Sequence, residues 1–227
     1  MTIPSITCAY KAAVTPLGYK TNLGVVLLRT DETLEHDLRR SLPLEGVALY
    51  ATRIAVAPEI TVDSCAAMEA DLTASAKLLP PNLDYAAVVY ACTSASSVIG
   101  HARVAERIKA GCKTQDVITP LSALIDACHA KGIKRLALVT PYEPAVNKGL
   151  RTAIEAAGIS LSAEACFYES EDAKVAQLAP EVVASAARQV AQLAPCEAIF
   201  ISCTNVRTLD IIPALESELG LPVLSSN

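Results

Sequence analysis

The chain has 227 residues, with 24 acidic and 19 basic side chains, a net charge of -5, 52% hydrophobic residues and 4% aromatic residues. This composition is too apolar for a disordered protein, and the negative charge and the lack of Trp argue against a nucleic-acid partner. Residues 1–20 lack the pattern of a signal peptide, and no apolar run is long enough to span a bilayer. We therefore expect a cytoplasmic protein without a nucleic-acid or membrane partner.

Apolar runs that end in polar loops alternate with amphipathic stretches from residue 23 onward. The apolar runs predict strands buried in a parallel sheet. The amphipathic stretches predict the helices between them, because they begin at Ser, Thr, Asp or Pro and end at Gly or Pro. The predicted strands are 23–28, 46–57, 85–91, 117–118, 135–140, 160–167, 198–202 and 222–224, and the predicted helices are 34–41, 61–78, 98–110, 120–132, 144–158, 180–193 and 209–219.

This alternation predicts an α/β protein built from parallel sheets with helices on both faces. Similar polar segments follow strands in each half of the chain, so we expect two pseudo-symmetric α/β lobes, one of residues 1–117 and 221–227 and the other of residues 118–220. Ligands in such folds bind outside the carboxyl ends of the strands, which favours a site in the cleft between the lobes. The loops expected at these ends are 29–33, 92–97, 141–147 and 203–205.

Cys92 and Cys203 each end an apolar strand and each precede a Thr. A single free cysteine is most often a core residue, but a thiol at the N-terminus of a helix has a lowered pKa and can act as a nucleophile or a base. Because both cysteines share this expected setting, we predict that they form a catalytic pair. The remaining cysteines, expected to be reduced core residues, are at positions 8, 65, 112, 128, 166 and 196.

Small hydroxyl residues follow the first of these cysteines. Thr93 and Ser94 can cap a helix, and together with its free backbone N–H groups they can also hold a substrate carboxylate or enediolate. Tyr142 is either a turn residue or a further donor to this carboxylate, and Asp31 is either a helix cap or a ligand contact. The candidate substrate-binding residues at the strand ends are Asp31, Thr93, Ser94, Tyr142, Asn147 and Thr204.

Signatures of metals and cofactors are missing from the sequence. No two cysteines have CxxC spacing, and the three histidines form neither an HxxH nor an HExxH arrangement. The glycine-rich phosphate-binding motifs and the G-x-S-x-G motif of serine hydrolases are also missing. We therefore predict no metal site and no cofactor.

Four short motifs carry a resemblance to a known superfamily. They are Cys92-Thr93-Ser94, Cys203-Thr204, Thr140-Pro141-Tyr142 and the ending Pro222-Val223-Leu224-Ser225-Ser226-Asn227. With these motifs the chain resembles the aspartate/glutamate racemase superfamily over nearly its whole length from residue 23. Within the superfamily it is most similar to maleate cis-trans isomerases, arylmalonate decarboxylases and ectoine-utilization proteins. Members usually continue into a further helix, which implies that the C-terminus is shortened here.

The resemblance implies a cofactor-independent isomerase with its site between two lobes. In the isomerases the first cysteine adds as a thiolate to the double bond of maleate, the adduct rotates, and the second cysteine transfers a proton. Carried to this sequence, Cys92 is the nucleophile and Cys203 the acid and base. Thr93, Ser94 and Tyr142 match positions that hold a carboxylate in a dioxyanion hole of the decarboxylases.

Other reactions stay open. In racemases of the superfamily the two cysteines act as bases on opposite faces of a Cα, so an aspartate-type racemase or an enzyme of ectoine derivatives is the main alternative. Arylmalonate-type decarboxylation is less favoured, because those enzymes have glycine where this chain has Cys92. A carboxylate-binding protein without catalysis is an alternative from another class. The oligomeric state is also open, with a homodimer as one option.

Asp31 departs from the pattern of the maleate isomerases, which have Asn in this loop. An anionic side chain facing an anionic substrate group is unfavourable unless it is protonated or paired, for example with Arg29 or Arg53. The departure argues against maleate itself and would suit a substrate with an ammonium or an amide N–H.

Overall fold

The computed structural model describes residues 3–6, 15–43 and 45–227, so Cys8 and its expected core position lie outside the described residues. The strands of this part are β1 (Thr21–Leu28), β2 (Val47–Ile54), β3 (Tyr85–Ala91), β4 (Thr114–Ile118), β5 (Arg135–Thr140), β6 (Ser160–Cys166), β7 (Ala198–Ile201) and β8 (Val223–Ser225).

These strands form two parallel sheets of four strands each. The first has the order β2-β1-β3-β4 and the second the order β6-β5-β7-β8. The two orders are identical when β5 to β8 are laid over β1 to β4, so one topology occurs twice along the chain. The repeat confirms the predicted α/β fold with two pseudo-symmetric lobes, each a parallel sheet flanked by helices.

Helices follow the strands, as the crossover connections of parallel sheets require. They are α1 (Leu34–Ser41), α2 (Val62–Ala67), α3 (Leu72–Ala76), α4 (Thr93–Ile99), α5 (His101–Lys109), α6 (Pro120–Lys131), α7 (Pro144–Ala156), α8 (Asp172–Val175), α9 (Pro180–Leu193) and α10 (Ile212–Leu219). Within the described ranges, every helix is too short or too polar to cross a bilayer.

Two of the predicted helices are interrupted. The helix predicted over 61–78 consists of α2, a 3-10 turn at Met68–Asp71 and α3. The helix predicted from residue 98 begins earlier, at Thr93, and breaks at Gly100. The φ of Gly100 is +86°, a value that residues with a side chain rarely adopt. Because α4 starts directly after β3, its first turn lies at the carboxyl edge of the first sheet.

The C-terminal segment differs from the expected division of the lobes. Residues 221–227 were expected with the first lobe, but β8 pairs with β7 in the second sheet, with Ile199 opposite Val223 and Ile201 opposite Ser225. The short apolar strand satisfies backbone groups that the edge of β7 would otherwise leave unpaired. Beyond the strand, the chain reaches the first lobe, where the Asn227 amide donates a 2.7 Å hydrogen bond to Asp37.

The cores of the two lobes are continuous. Val88 of β3 and Leu138 of β5, both fully buried, belong to one cluster of buried apolar side chains. The segments Val25–Leu28 and Leu136–Val139 are buried on both faces of their sheets, as expected of central parallel strands. This packing positions the carboxyl ends of the central strands of the two sheets around one cleft.

Candidate active site

One cleft between the lobes collects the loops that follow the central strands. The space between these loops, counted together with the open solvent at the mouth of the cleft, is about 460 Å³. Of the predicted site residues, those that line it are Asp31, Cys92, Thr93, Ser94, Tyr142, Cys203 and Thr204.

Cys92 lies at the junction of β3 and α4 and is the N-cap residue of that helix. Its Sγ accepts a hydrogen bond from the Ala95 backbone N–H at 3.4 Å and lies 3.5 Å from the Ser94 hydroxyl. The side chain is 4% exposed. The predicted position of this thiol at a helix N-terminus is therefore present in the structure, and these two donors would stabilise a thiolate.

Burial nevertheless raises the pKa of the Cys92 thiol to about 12. The neighbouring Cys65 and Asp172 raise the pKa further, and the hydrogen bonds from Ser94 and Ala95 lower it by less than burial raises it. The prediction of a lowered thiol pKa is therefore wrong for the free protein. A sequence pattern indicates a helix N-terminus but does not indicate how completely the thiol is removed from water.

Cys203 differs from Cys92 in its local structure. No helix starts after it, because α10 begins only at Ile212, so the expected helix N-terminus is not there. The residue instead has a φ of +96°, a conformation that costs a non-glycine residue about 1–2 kcal/mol. Burial and then the charge of Asp172 raise the pKa of its thiol well above the ordinary value, while the Asn205 N–H and the Tyr142 hydroxyl lower it.

Two cross-lobe contacts join the cysteine loops. Ser226 accepts hydrogen bonds from the Thr93 hydroxyl at 2.8 Å and from the Cys203 backbone N–H at 3.0 Å. The Thr204 hydroxyl donates to the Ala91 carbonyl at 3.2 Å. These contacts fix the end of β3 relative to the end of β7, so the two thiols face the same cleft in a fixed arrangement.

Tyr142 is 1% exposed, and its hydroxyl lies in the cleft beside Cys203. Asn147 does not line the cleft, so it lies apart from the other predicted substrate-binding residues. Its side chain is engaged behind them, because it accepts from the Thr140 hydroxyl at 2.8 Å and donates to the Tyr142 carbonyl at 3.1 Å and to Cys166 Sγ at 3.0 Å. Asn147 therefore positions the loop that carries Tyr142.

Asp31 is both a helix cap and a lining residue of the cleft. Its Oδ1 accepts from the backbone N–H groups of Thr33 at 3.2 Å and Leu34 at 2.9 Å, at the start of α1. Its Oδ2 is buried and has no hydrogen-bond partner. Burial raises the pKa of this carboxyl to about 6, against the lowering effect of the two N–H groups, and Asp172 raises it further.

The carboxyl of Asp31 does not pair with Arg29 or Arg53. Arg53 donates to the Asp31 carbonyl at 2.8 Å and to the Leu28 carbonyl at 3.0 Å, and its remaining arm binds Glu35 at 3.2 Å. Within residues 15–43 and 45–227, no ion pair contains the carboxyl of Asp31 or the guanidinium of Arg29. The Arg53 charge only weakly lowers the pKa of Asp31.

The cleft is also lined by Cys65, which was expected to be a core residue, and by polar residues that were not predicted for the site, among them Glu59, Asp172 and Asn205. Asp172 begins α8, is 3% exposed and accepts a hydrogen bond from the Thr30 hydroxyl. Asn205 joins three loops, since it accepts from the Glu32 N–H at 2.8 Å and donates to the carbonyls of Thr30 at 3.1 Å and Asp172 at 3.3 Å. Asn205 and Asp172 could have been found from the expectation that ligands bind at the carboxyl ends of the strands, because Asn205 follows the second cysteine and Asp172 lies in the loop after β6.

Loops from both lobes meet beside the cleft. Glu59, after β2, forms an antiparallel bridge with Glu171, after β6. The Ile60 N–H donates to the Ser170 carbonyl at 2.7 Å. Among the described residues, no group of three or more His, Cys, Asp or Glu side chains is arranged so that it could hold a metal ion.

The protein is therefore a two-lobed α/β protein whose lobes share one topology. Its site is built from both halves, because each lobe contributes a thiol to the cleft between them. A family model described as Arylmalonate decarboxylase (Amdase) matches residues 43–227. The chain belongs to this family, within the aspartate/glutamate racemase superfamily, which confirms the resemblance drawn from the sequence motifs.

Individual relatives are similar over part of the chain. A maleate isomerase of Nocardia farcinica is 31% identical over 147 residues, which are 61% of this chain and 58% of the relative. A maleate isomerase of Alcaligenes faecalis is 25% identical over 128 residues, 56% of this chain and 51% of the relative. The chain thus matches little more than half the length of these curated relatives.

The similarity of fold extends further. The solved structure of a Nocardia farcinica maleate cis-trans isomerase mutant with a covalently bound succinylcysteine intermediate superposes with a TM-score of 0.80 at 24% identity. The superposition covers 91% of this chain and 87% of that chain. It shows that the two-lobed fold described above is the fold of that isomerase.

Proposed function

We propose that this protein is a cofactor-independent isomerase that acts on a small carboxylate substrate, as maleate cis-trans isomerase does. The observation that carries the proposal is the pair of buried thiols, one at the strand end of each lobe, that line a single cleft. Cys92 is the nucleophile, and Cys203 is the acid and base. The related isomerase with a covalent succinylcysteine supports this chemistry for a chain of the same fold and family.

In the proposed reaction, the Cys92 thiolate adds to one carbon of the double bond. The π electron pair moves to the neighbouring carbon and its carboxylate, which becomes an enediolate, and the Cys203 thiol then protonates that carbon. Rotation is free in the resulting thioether. Removal of a proton by the Cys203 thiolate and cleavage of the C–S bond then give the trans product and restore both cysteines.

The substrate carboxylate is assigned to the start of α4. The Ser94 hydroxyl and the backbone N–H groups of this turn are the donors that would hold the enediolate, and the Tyr142 hydroxyl approaches from the other lobe. Thr93 contributes less than its sequence position suggested, because its hydroxyl donates to Ser226.

The direct test is to follow the formation of fumarate from maleate by absorbance in the wild type and in Cys92→Ser and Cys203→Ser. Each substitution is expected to lower kcat by 10³-fold or more, since it removes a group that takes part in covalent chemistry or proton transfer. Cys196→Ser is the matched control, because this cysteine is partly exposed and does not line the cleft. Full turnover in both cleft variants on a confirmed substrate would contradict the two-thiol mechanism.

An aspartate-type racemase is the second candidate, favoured by the unpartnered carboxyl oxygen of Asp31. In that reaction one thiolate removes the Cα proton while the other thiol protonates the opposite face. Deuterium exchange at the Cα of aspartate in heavy water distinguishes the racemase from the isomerase.

A cytoplasmic location and a homodimer are also part of the proposal, and light scattering after gel filtration tests the dimer.

A further inference from the structure

The charged side chains that line the cleft all have the same sign. They are Asp31, Glu59 and Asp172, and no Lys, Arg or His of the described residues lines it. Hydrogen bonds from Arg or Lys to a carboxylate are stronger than those from neutral donors, and this cleft offers none to a substrate with two carboxylates. The charge of this cleft therefore disfavours a dianion and favours a ligand with a cationic group.

Asp31 gives this preference a definite position. The carboxyl is 4% exposed, and one of its oxygens caps α1 while the other, Oδ2, has no hydrogen-bond partner. Buried polar oxygens are almost always paired, and an unpaired one at the wall of a ligand cleft indicates a missing donor. Arg53 does not supply that donor, because its guanidinium binds backbone carbonyls and Glu35.

Asp172 is held beside Asp31. Its carboxyl is 3% exposed and accepts from the Thr30 hydroxyl, and Asn205 bonds both the Thr30 and the Asp172 carbonyls. The two carboxyls are close enough for the charge of Asp172 to raise the pKa of Asp31. Two buried carboxyls fixed at one wall of a cleft match the several N–H donors of an ammonium group.

We propose that Asp31 and Asp172 form a subsite for a protonated amino group, so that the substrate is a small aminocarboxylate rather than a simple dicarboxylate. This inference rests on the proposed function, because it places the substrate carboxylate at the start of α4 and the ammonium at the two aspartates. The pair of aspartates thus determines specificity within the cleft. On such a substrate, Cys92 and Cys203 act either at a carbon–carbon double bond, as in the isomerase, or on the two faces of a Cα, as in the racemase.

The subsite also has a consequence for the thiols. The charge of Asp172 raises the pKa of both Cys92 and Cys203. An ammonium bound between the aspartates opposes this effect and favours the thiolate. The substrate would therefore help to create the nucleophile or base that acts on it, and the free protein would keep its thiols protonated.

Ligand binding tests the subsite with two matched pairs, L-aspartate against succinate and 4-aminobutyrate against butyrate. The members of each pair differ by the amino group alone, and binding is measured as the shift in melting temperature over a concentration series. In the wild type, the amine is expected to improve affinity about tenfold or more, since it makes charge-assisted hydrogen bonds to buried carboxylates. Asp31→Asn and Asp172→Asn are expected to lose this preference.

Asp31→Asn keeps a side-chain oxygen to cap α1, so the variant is expected to fold. Asp126→Asn is the control, because that side chain is exposed and does not line the cleft. Equal or tighter binding of the amine-free member of each pair by the wild type overturns the subsite. Survival of the amine preference in both cleft variants overturns it as well.

Failure of the subsite and failure of the proposed function give different results. Isomerisation of maleate that depends on both cysteines, without an amine preference, leaves the isomerase in place and removes the subsite. An amine preference that is retained in Cys92→Ser, with neither isomerisation nor Cα exchange in the wild type, leaves the subsite in place and removes the catalytic proposal.

Discussion

The Thr93 hydroxyl donates a 2.8 Å hydrogen bond to Ser226, although the two residues are 133 positions apart in the sequence and lie in different lobes. Ser226 also accepts from the Cys203 backbone N–H at 3.0 Å. One hydroxyl near the C-terminus thus connects the turn that follows Cys92 with the backbone of Cys203. Together with the hydrogen bond from the Thr204 hydroxyl to the Ala91 carbonyl, this contact fixes the relative positions of the two thiols.

Ser226→Ala is expected to lower kcat about tenfold while KM changes little. The substitution leaves the Cys203 N–H without its acceptor, so a residue already held at a φ of +96° is free to relax away from the cleft. Steady-state kinetics on a confirmed substrate measure the effect. Ser160→Ala is the control, because this exposed hydroxyl bonds only the Lys134 carbonyl. Unchanged kcat in Ser226→Ala would show that the contact does not set the geometry of the pair.

Much of the fold could be predicted from the sequence, because the apolar runs of strands such as 135–140 are continuous and their ends are marked by Pro and Gly. The doubled strand order could not, since pairing between strands depends on tertiary packing. The membership of β8 in the second sheet was missed for the same reason.

The candidate site was predicted in part. Strand-end position located Cys92, Cys203 and Tyr142, which share the cleft. The same rule misplaced Asn147, because a polar residue at a strand end can point behind the loop as well as into the cleft. The direction of the thiol pKa was wrong, because burial outweighs the helix N-terminus and burial has no local sequence signal.

Asn147→Ala is expected to lower the free energy of unfolding by about 1–3 kcal/mol, since it leaves buried polar partners unsatisfied. These partners include the Thr140 hydroxyl and the Tyr142 carbonyl. Urea unfolding measures the change in stability. Activity is expected to fall with KM more affected than kcat, because the Tyr142 loop loses its support. Asn147→Asp keeps the acceptor for Thr140 but turns a buried carboxyl oxygen toward the Tyr142 carbonyl, so it is not expected to restore the stability. An Asn147→Ala variant as stable as the wild type would contradict the positioning role.

Alkylation of Cys92 by iodoacetamide in the free protein is expected to be slow at pH 8 and to rise about tenfold per pH unit up to pH 11. With a pKa of about 12, the thiolate fraction at pH 8 is about 10⁻⁴, compared with about 0.1 for a thiol with the ordinary value of 9.0. Mass spectrometry of the labelled peptide gives the rate. The Cys203→Ser background isolates Cys92, and a rate that levels off near pH 8 would contradict the effect of burial.

Asp31→Asn is expected to stabilise the ligand-free protein at pH 8. The folded-state pKa of Asp31 is about 6, above the ordinary 3.8, so between these values the folded protein holds a proton that the unfolded chain has released. Stability is therefore lost as the pH rises from about 4 to 6. At about 1.4 kcal/mol per pKa unit, the variant gains roughly 2–3 kcal/mol at pH 8 and nothing below pH 4.

Urea unfolding at pH 4, 6 and 8 measures this difference for Asp31→Asn and for the exposed control Asp126→Asn. The charged groups that act on Asp31 are Asp172, which raises its pKa, and Arg53, which lowers it. A control that shows the same pH dependence, or a cleft variant that is less stable than the wild type at pH 8, would contradict the assignment.

The backbone of Cys203 provides a test that separates strain from chemistry. At a φ of +96° an Ala pays the same steric cost as the Cys, whereas a Gly does not, so Cys203→Gly is expected to be more stable than Cys203→Ala by about 1–2 kcal/mol. Both variants are expected to be inactive, because each lacks the thiol. At Cys92, whose φ is -150°, the order should reverse, since Gly gains nothing there and loses more backbone entropy. Thermal unfolding of the four variants gives the two differences. Equal stabilities of Cys203→Gly and Cys203→Ala would contradict the backbone strain inferred at this position.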